Sequence, residues 1–172
     1  METLKTYLCL LLLLLSLSSK AQVNLDSLWS VWNDKTQPDT NRLKAMHKIA
    51  HDGYLYSQPD SAFYFAQKGY DFAEAVDNKK WMADALNIQG ISFAIRGNNE
   101  KAVEYFLKNL SIHKQLVDKR GMSMSYGNIG NIYDEQGNYE KALEYYSKSL
   151  VIDKELGDKQ GVGFTYNNIG II

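Results

Sequence analysis

GMSMSYGNIGNIYDEQGNYEKALEYYSKSLVIDKELGDKQ, residues 121–160, decides the reading, because the chain on either side repeats it. Gly97-Asn98-Asn99-Glu100-Lys101-Ala102 overlays Gly137-Asn138-Tyr139-Glu140-Lys141-Ala142 at an offset of 40 residues. The same step carries Gly90 to Gly130 to Gly170, Lys108 to Lys148, Leu110 to Leu150, Ile112 to Ile152, Leu116 to Leu156, Lys119 to Lys159 and Gly121 to Gly161. A further step back reaches Ala62, Lys68 and Lys79, with Phe65, Tyr70, Phe72 and Val76 in the apolar slots. Self-similarity at such a period marks stacked repeats, in which each unit must bury its apolar face against a neighbour.

Within each period two apolar stripes with helical spacing are separated by a short turn. Trp81 to Arg96 and Glu100 to Val117 predict one helical hairpin, joined at Gly97-Asn98. Gly97 and Gly137 fit the left-handed position that ends a helix, and Asn98 and Asn138 can cap the next one, with Glu100 and Glu140 adding charge to its first turn. Leu43, Ala45, Met46, Ile49, Ala50 and Tyr54 predict the first helix of the first hairpin, and Pro59 suits the first residue of its second. Leu25, Leu28, Trp29 and Trp32 predict a helix that caps the array, with Pro38 as the breaker after it. The expected organisation is residues 1–21 as a leader, 22–38 as capping helix and linker, and 39–172 as repeats over about 39–80, 81–120, 121–160 and a partial 161–172.

The leader is read from Lys5, the apolar run Tyr7 to Leu15, and small Ser19 and Ala21 before an expected cleavage at Gln22. That run is about half the roughly 20 residues needed to cross a bilayer, so a secretory signal peptide is expected rather than an anchor. Export to a bacterial periplasm or envelope follows. Cys9, the only cysteine, lies in the leader, which leaves the mature chain without thiol chemistry. Nineteen Lys and Arg against twenty Asp and Glu give a net charge of −1, which provides no broad positive field for nucleic acid or anionic membrane.

Gly90, Phe93, Ala102 and Phe106, then Gly130, Tyr133, Ala142 and Tyr146, resemble the tetratricopeptide repeat in order and spacing. A period of 40 rather than about 34, and Lys114 and Lys154 where that pattern has proline, depart from it. About six extra residues lengthen the hairpin by roughly 9 Å of helix. This longer form, with Asn167-Asn168-Ile169-Gly170 and Gly157 to Gly161, is similar to the extended repeats of kinesin light chain and of bacterial signalling proteins. The first unit matches least, with Gly53 and Ala66 in the two aromatic slots. A HEAT or armadillo array has a similar period but not this order of residues. The resemblance implies an all-α, right-handed superhelical solenoid of antiparallel helix hairpins.

It further implies a concave groove lined by first helices, onto which His47, His51, Tyr54, Asn87, Asn128, Asn131, Asp134, Asn167 and Asn168 map. An asparagine there can satisfy both the N–H and the C=O of an extended partner, whatever its side chains. Alternatively, Asn128 and Asn168 tie neighbouring helices together. His47 and His51 have the i, i+4 spacing of two metal ligands, but Lys48 breaks the His-Glu-x-x-His signature and Asp52 is expected on another side of the helix; no metal or cofactor is expected. Asn109-Leu110-Ser111 matches a glycosylation acceptor, placed mid-helix. Neither a phosphate loop nor a nucleophile with a base is legible, so the chain reads as a protein- or peptide-binding scaffold rather than an enzyme. The apolar stop at Gly170-Ile171-Ile172 suggests a fragment. The competing reading is the sensory region of a nucleotide cyclase or histidine kinase, with a membrane helix and catalytic domain downstream.

Overall fold

A computed structural model describes residues 24–172; the leader lies outside the described residues. The described chain is helical throughout: α1 (Leu25–Asn33), α2 (Asp39–Lys48) running into a π-helical turn (Ile49–Tyr54), α3 (Pro59–Ala75), α4 (Lys79–Ile95), α5 (Asn99–Gln115), α6 (Lys119–Glu135), α7 (Tyr139–Leu156) and α8 (Lys159–Ile171). Each helix packs on the next, so the array is a solenoid of helix pairs. α1 covers the first pair, with Trp29 edge-on to Phe65 at 5.2 Å and Trp32 edge-on to Phe72 at 5.4 Å. Arg42 fixes that corner: its Nε donates to the Trp32 carbonyl at 3.1 Å, and its guanidinium lies 4.3 Å from the Phe72 ring centroid.

The links repeat every 20 residues, twice as often as the sequence motif. Asp77, Gly97, Val117, Gly137 and Gly157 all have positive φ, between 51° and 72°. In each case the next residue's N–H closes a six-residue turn, from Asn78 to Ala73, Asn98 to Phe93, Asp118 to His113, Asn138 to Tyr133 and Asp158 to Asp153, at 2.8–2.9 Å. That residue then caps the following helix, its side chain accepting from the N–H three positions on. One compact device therefore ends a helix and starts the next.

Val117 is the misfit in this series. A β-branched residue with φ of 53° brings its Cβ against the following carbonyl, at about 1–2 kcal/mol, and its 78% exposed side chain gains little packing in return. Val117→Gly is expected to raise stability by roughly 1 kcal/mol, less whatever glycine's freedom adds to the unfolded chain. Urea unfolding followed by circular dichroism reads this, and a destabilised variant would contradict the account.

The first pair departs from the uninterrupted helix expected through Tyr54. Ala50 and Leu55, five residues apart, are both fully buried in one cluster with Ala62, Ala66 and Ile88. An α-helical turn would swing residues five apart to different sides; the wider π turn returns them to the same one. Gly53 lies in this turn because Leu25 of α1 presses on it, where a Cβ would come 2.7 Å from the leucine methyl. Aromatic packing holds the middle of the array: Phe93, Ala102, Phe106, Ile129 and Ile132 form a core joining three successive helices, α4 to α6.

Seams between successive pairs carry buried polar groups at equivalent positions. Asn109 of α5 is 3% exposed; its Nδ2 donates to the Ala83 carbonyl at 2.7 Å and its Oδ1 accepts from Ser125 Oγ at 2.5 Å. This burial also keeps the acceptor Asn109 of the glycosylation motif from solvent, although Ser111 is exposed. Forty residues on, Ser149 and Asp153 of α7 meet Ser123 and Thr165, with Ser123 Oγ and Ser149 Oγ 2.8 Å apart. At the first seam the equivalent positions are Leu43, Gly69, Ala73 and Ala85, all apolar, and its buried polar contact lies elsewhere, with Gln89 Nε2 of α4 donating to Gln67 Oε1 of α3 at 2.8 Å.

Candidate functional site

The first helices α6 and α8 leave a cleft between them, floored by α7. It opens into a cavity of about 620 Å³. Asn128 and Asn131 of α6 and Asn168 of α8 line it, so three of the sequence-selected residues meet in one place. Their amides are ordered by one another. Asn168 Nδ2 donates to Asn131 Oδ1 at 3.1 Å, and the same oxygen accepts from Tyr146 Oη at 2.8 Å. Asn128 Nδ2 donates to Asn87 Oδ1 at 3.0 Å, which ties α6 to α4. Among the described residues this leaves Asn128 Oδ1 and Asn168 Oδ1 as free acceptors and Asn87 and Asn131 Nδ2 as free donors. Helix tying and an outward-facing donor–acceptor set thus coexist.

Tyr146 is the anchor beneath them. It is 1% exposed, and burial first, then Asp134 and Glu135, push its phenol up to about 12, so it remains a donor to Asn131 across the physiological range. Asp134 is half-buried in the last turn of α6 and acts here through its charge. Asn167 is exposed on α8 and does not line the cavity.

His47, His51 and Tyr54 lie elsewhere, on α2 and the π turn. The two imidazoles stack with ring centroids 5.7 Å apart, and Trp81 of α4 meets His47 edge-on at 5.6 Å. Contrary to the expected separation, the π turn brings Asp52 to His51, with Oδ1 2.7 Å from Nδ1. Among the described residues no three His, Cys, Asp or Glu side chains gather as metal ligands. Tyr54 packs inward, 5.0 Å from Phe65 beside the first core cluster, rather than standing free in a groove.

His47 has a buried Nδ1 without a hydrogen-bond partner among the described residues. Burial lowers its pKa below 6.5, against a smaller raising effect of Asp84. The folded chain therefore takes up this proton less readily than the unfolded one, so the associated stability is intact above pH 6.5 and is lost as pH falls through the lower folded value. The expected result is a melting temperature that falls between about pH 7 and pH 5.5 and falls less in His47→Gln. Equal slopes in the two proteins would remove the assignment.

Sequence reasoning missed the deeper wall of the cavity, Ser123, Ser149, Asp153 and Thr165, and Met124 and Phe164 at its mouth. A signal was present, since Ser149 and Asp153 continue the Ala142, Tyr146 stripe of α7 at helical spacing and so put polar residues on a core face.

The fold and its cleft define a helical-repeat protein whose first helices line a polar groove. The chain belongs to the tetratricopeptide repeat family: the family's sequence profile matches residues 81–155 and 121–172, together more than half of the chain. No curated protein matches it in sequence. Similar solved structures include the TPR domain of Arabidopsis FLU, at 23% identity over 66% of this chain and 96% of that one, with a TM-score of 0.60. BtubC from P. vanneervenii is similar at 18% identity over 85% of this chain and 61% of that one, with a TM-score of 0.71. Aspartyl phosphate phosphatase F from Bacillus subtilis is similar at 21% identity, with a TM-score of 0.75, over 83% of this chain but only 38% of its own length. These likenesses are of fold.

Proposed function

We propose that the chain is an exported protein–protein interaction scaffold that holds an extended peptide segment of a partner across α4, α6 and α8. The observation that carries this is the paired amides: Asn87 with Asn128 and Asn131 with Asn168 each fix one another and keep one donor and one acceptor for a third party. An extended backbone presents the complementary pattern irrespective of side chains, which suits a scaffold. Export to the periplasm or envelope is supported by the leader pattern of residues 1–21. Among the described residues no helix is long and apolar enough to cross a membrane.

Asn128→Ala with Asn168→Ala is expected to weaken binding of a display-selected peptide about tenfold, from two lost hydrogen bonds, while helical circular dichroism is unchanged. Unchanged affinity would remove these residues from the site. The alternative of a sensory region in a nucleotide cyclase or histidine kinase draws on the same leader pattern; a membrane run and catalytic domain encoded beyond residue 172 would establish it.

A further inference from the structure

The seam between α7 and α8 buries a carboxylate without a cation beside it. Asp153 is 5% exposed and takes part in none of the ion pairs among the described residues. Its Oδ1 accepts from Ser123 Oγ. Its Oδ2 has only Ser149 Oγ and Thr165 Oγ1, both at 3.5 Å, the outer limit of a hydrogen bond. Ser149 has a single proton and a nearer acceptor in the Ser123 carbonyl at 3.1 Å. A buried carboxylate with one good hydrogen bond is under-compensated, because burial without pairing is costly for a charge. Forty residues earlier His113 occupies the same position, with Asp118 Oδ2 2.9 Å from its Nδ1.

The same carboxylate lines the cavity. Arg120 is the one cation on that lining, and it is engaged by Asp158, with Nη2 2.5 Å from Oδ2. Asp158 is itself held in place as the cap of α8, accepting from the Gly161 N–H at 3.0 Å. The cavity thus keeps an uncompensated negative charge at its floor. Its mouth has Met124 and Phe164, 61% and 64% exposed, on facing helices. An apolar throat above a buried anion matches a long side chain with a hydrocarbon stem and a cationic tip.

We propose that the cavity between α6 and α8 is a subsite for a lysine or arginine side chain of the bound segment, with Asp153 as its counter-ion. This rests on the groove-binding reading above. Ser123 orients the carboxylate, Met124 and Phe164 flank the stem, and the asparagines at the rim take the adjoining backbone. The subsite gives a sequence preference to a groove that otherwise reads only main chain.

The test uses the full 172-residue chain and phage-displayed random dodecapeptides, followed by fluorescence anisotropy with the best peptide and its Lys→norleucine and Lys→Glu forms. Selected peptides are expected to share a basic residue at one position. Norleucine should weaken binding roughly tenfold or more, and Asp153→Asn should bind lysine and norleucine peptides alike. Should Asp153→Asn lose its helical circular dichroism, the lysine–norleucine comparison on the unmodified chain decides. Peptides that bind without basic preference, or equal affinity for lysine and norleucine, would overturn the subsite and leave the groove reading standing. Failure to select any peptide would overturn both.

Discussion

Tyr146→Ala is expected to lose about 3–5 kcal/mol of stability, the usual range for emptying a buried aromatic site. Tyr146 is 1% exposed, and its ring lies directly against the backbone of Gly130 in α6. Truncation removes that contact and leaves a void that rigid helices on either side cannot close. Tyr146→Phe keeps the ring and loses only the donation to Asn131, so it should cost about 1 kcal/mol. The Phe variant should therefore retain the fold while relaxing the amide set above it. Urea unfolding of the two variants separates packing from hydrogen bonding; a loss below about 1 kcal/mol for Tyr146→Ala would show that the ring is not a keystone of this pair.

Gly130→Ala and Gly163→Ala, the same substitution in neighbouring first helices, are expected to have opposite signs. A Cβ at Gly130 would stand 2.6 Å from two Tyr146 ring carbons, and the ring, buried and tied through its hydroxyl, has nowhere to go. Overpacking of this kind costs on the order of 1–3 kcal/mol and exceeds the helix-propensity gain of under about 1 kcal/mol. At Gly163, exposed in α8, a Cβ meets nothing within 4 Å, so only the propensity gain remains and stability should rise by about 0.5–1 kcal/mol. If both variants were stabilised, close approach would not be the reason for glycine at position 130. Gly90 faces Phe106 in the same way, also at 2.6 Å, so glycine opposite a buried ring is shared by the second and third pairs.

That pairing explains why the fold was legible. Gly90 with Phe106 and Gly130 with Tyr146 recur because two helices touch at those points, and the touching pair leaves its residue types in the sequence. The links at Gly97 and Gly137 were readable for the same reason. Those at Asp77 and Val117 were not, because side-chain identity there does not report the left-handed backbone that tertiary packing imposes. The π turn was hidden because Ala50 and Leu55 reveal their shared side only once α3 and α4 are in place. The asparagines on first helices were legible through the family resemblance, whereas Asp153 and Ser149 sit on second helices, which read as packing elements. Their role depends on a neighbour adjacent only in the fold, Ser123, 26 residues before Ser149 and 30 before Asp153.

Each junction in the stack has its own chemical key. Asn109 fits the Ala83 carbonyl and the Ser125 hydroxyl, whereas Asp153 takes its hydrogen bond from the Ser123 hydroxyl. Two chains exchanging hairpins out of sequence would set the acidic key into a lock cut for an amide and cost the buried carboxylate the one good hydrogen bond it has. Near-identical modules are thereby kept in order, and misassembly is discouraged at the very surfaces that make the modules stick.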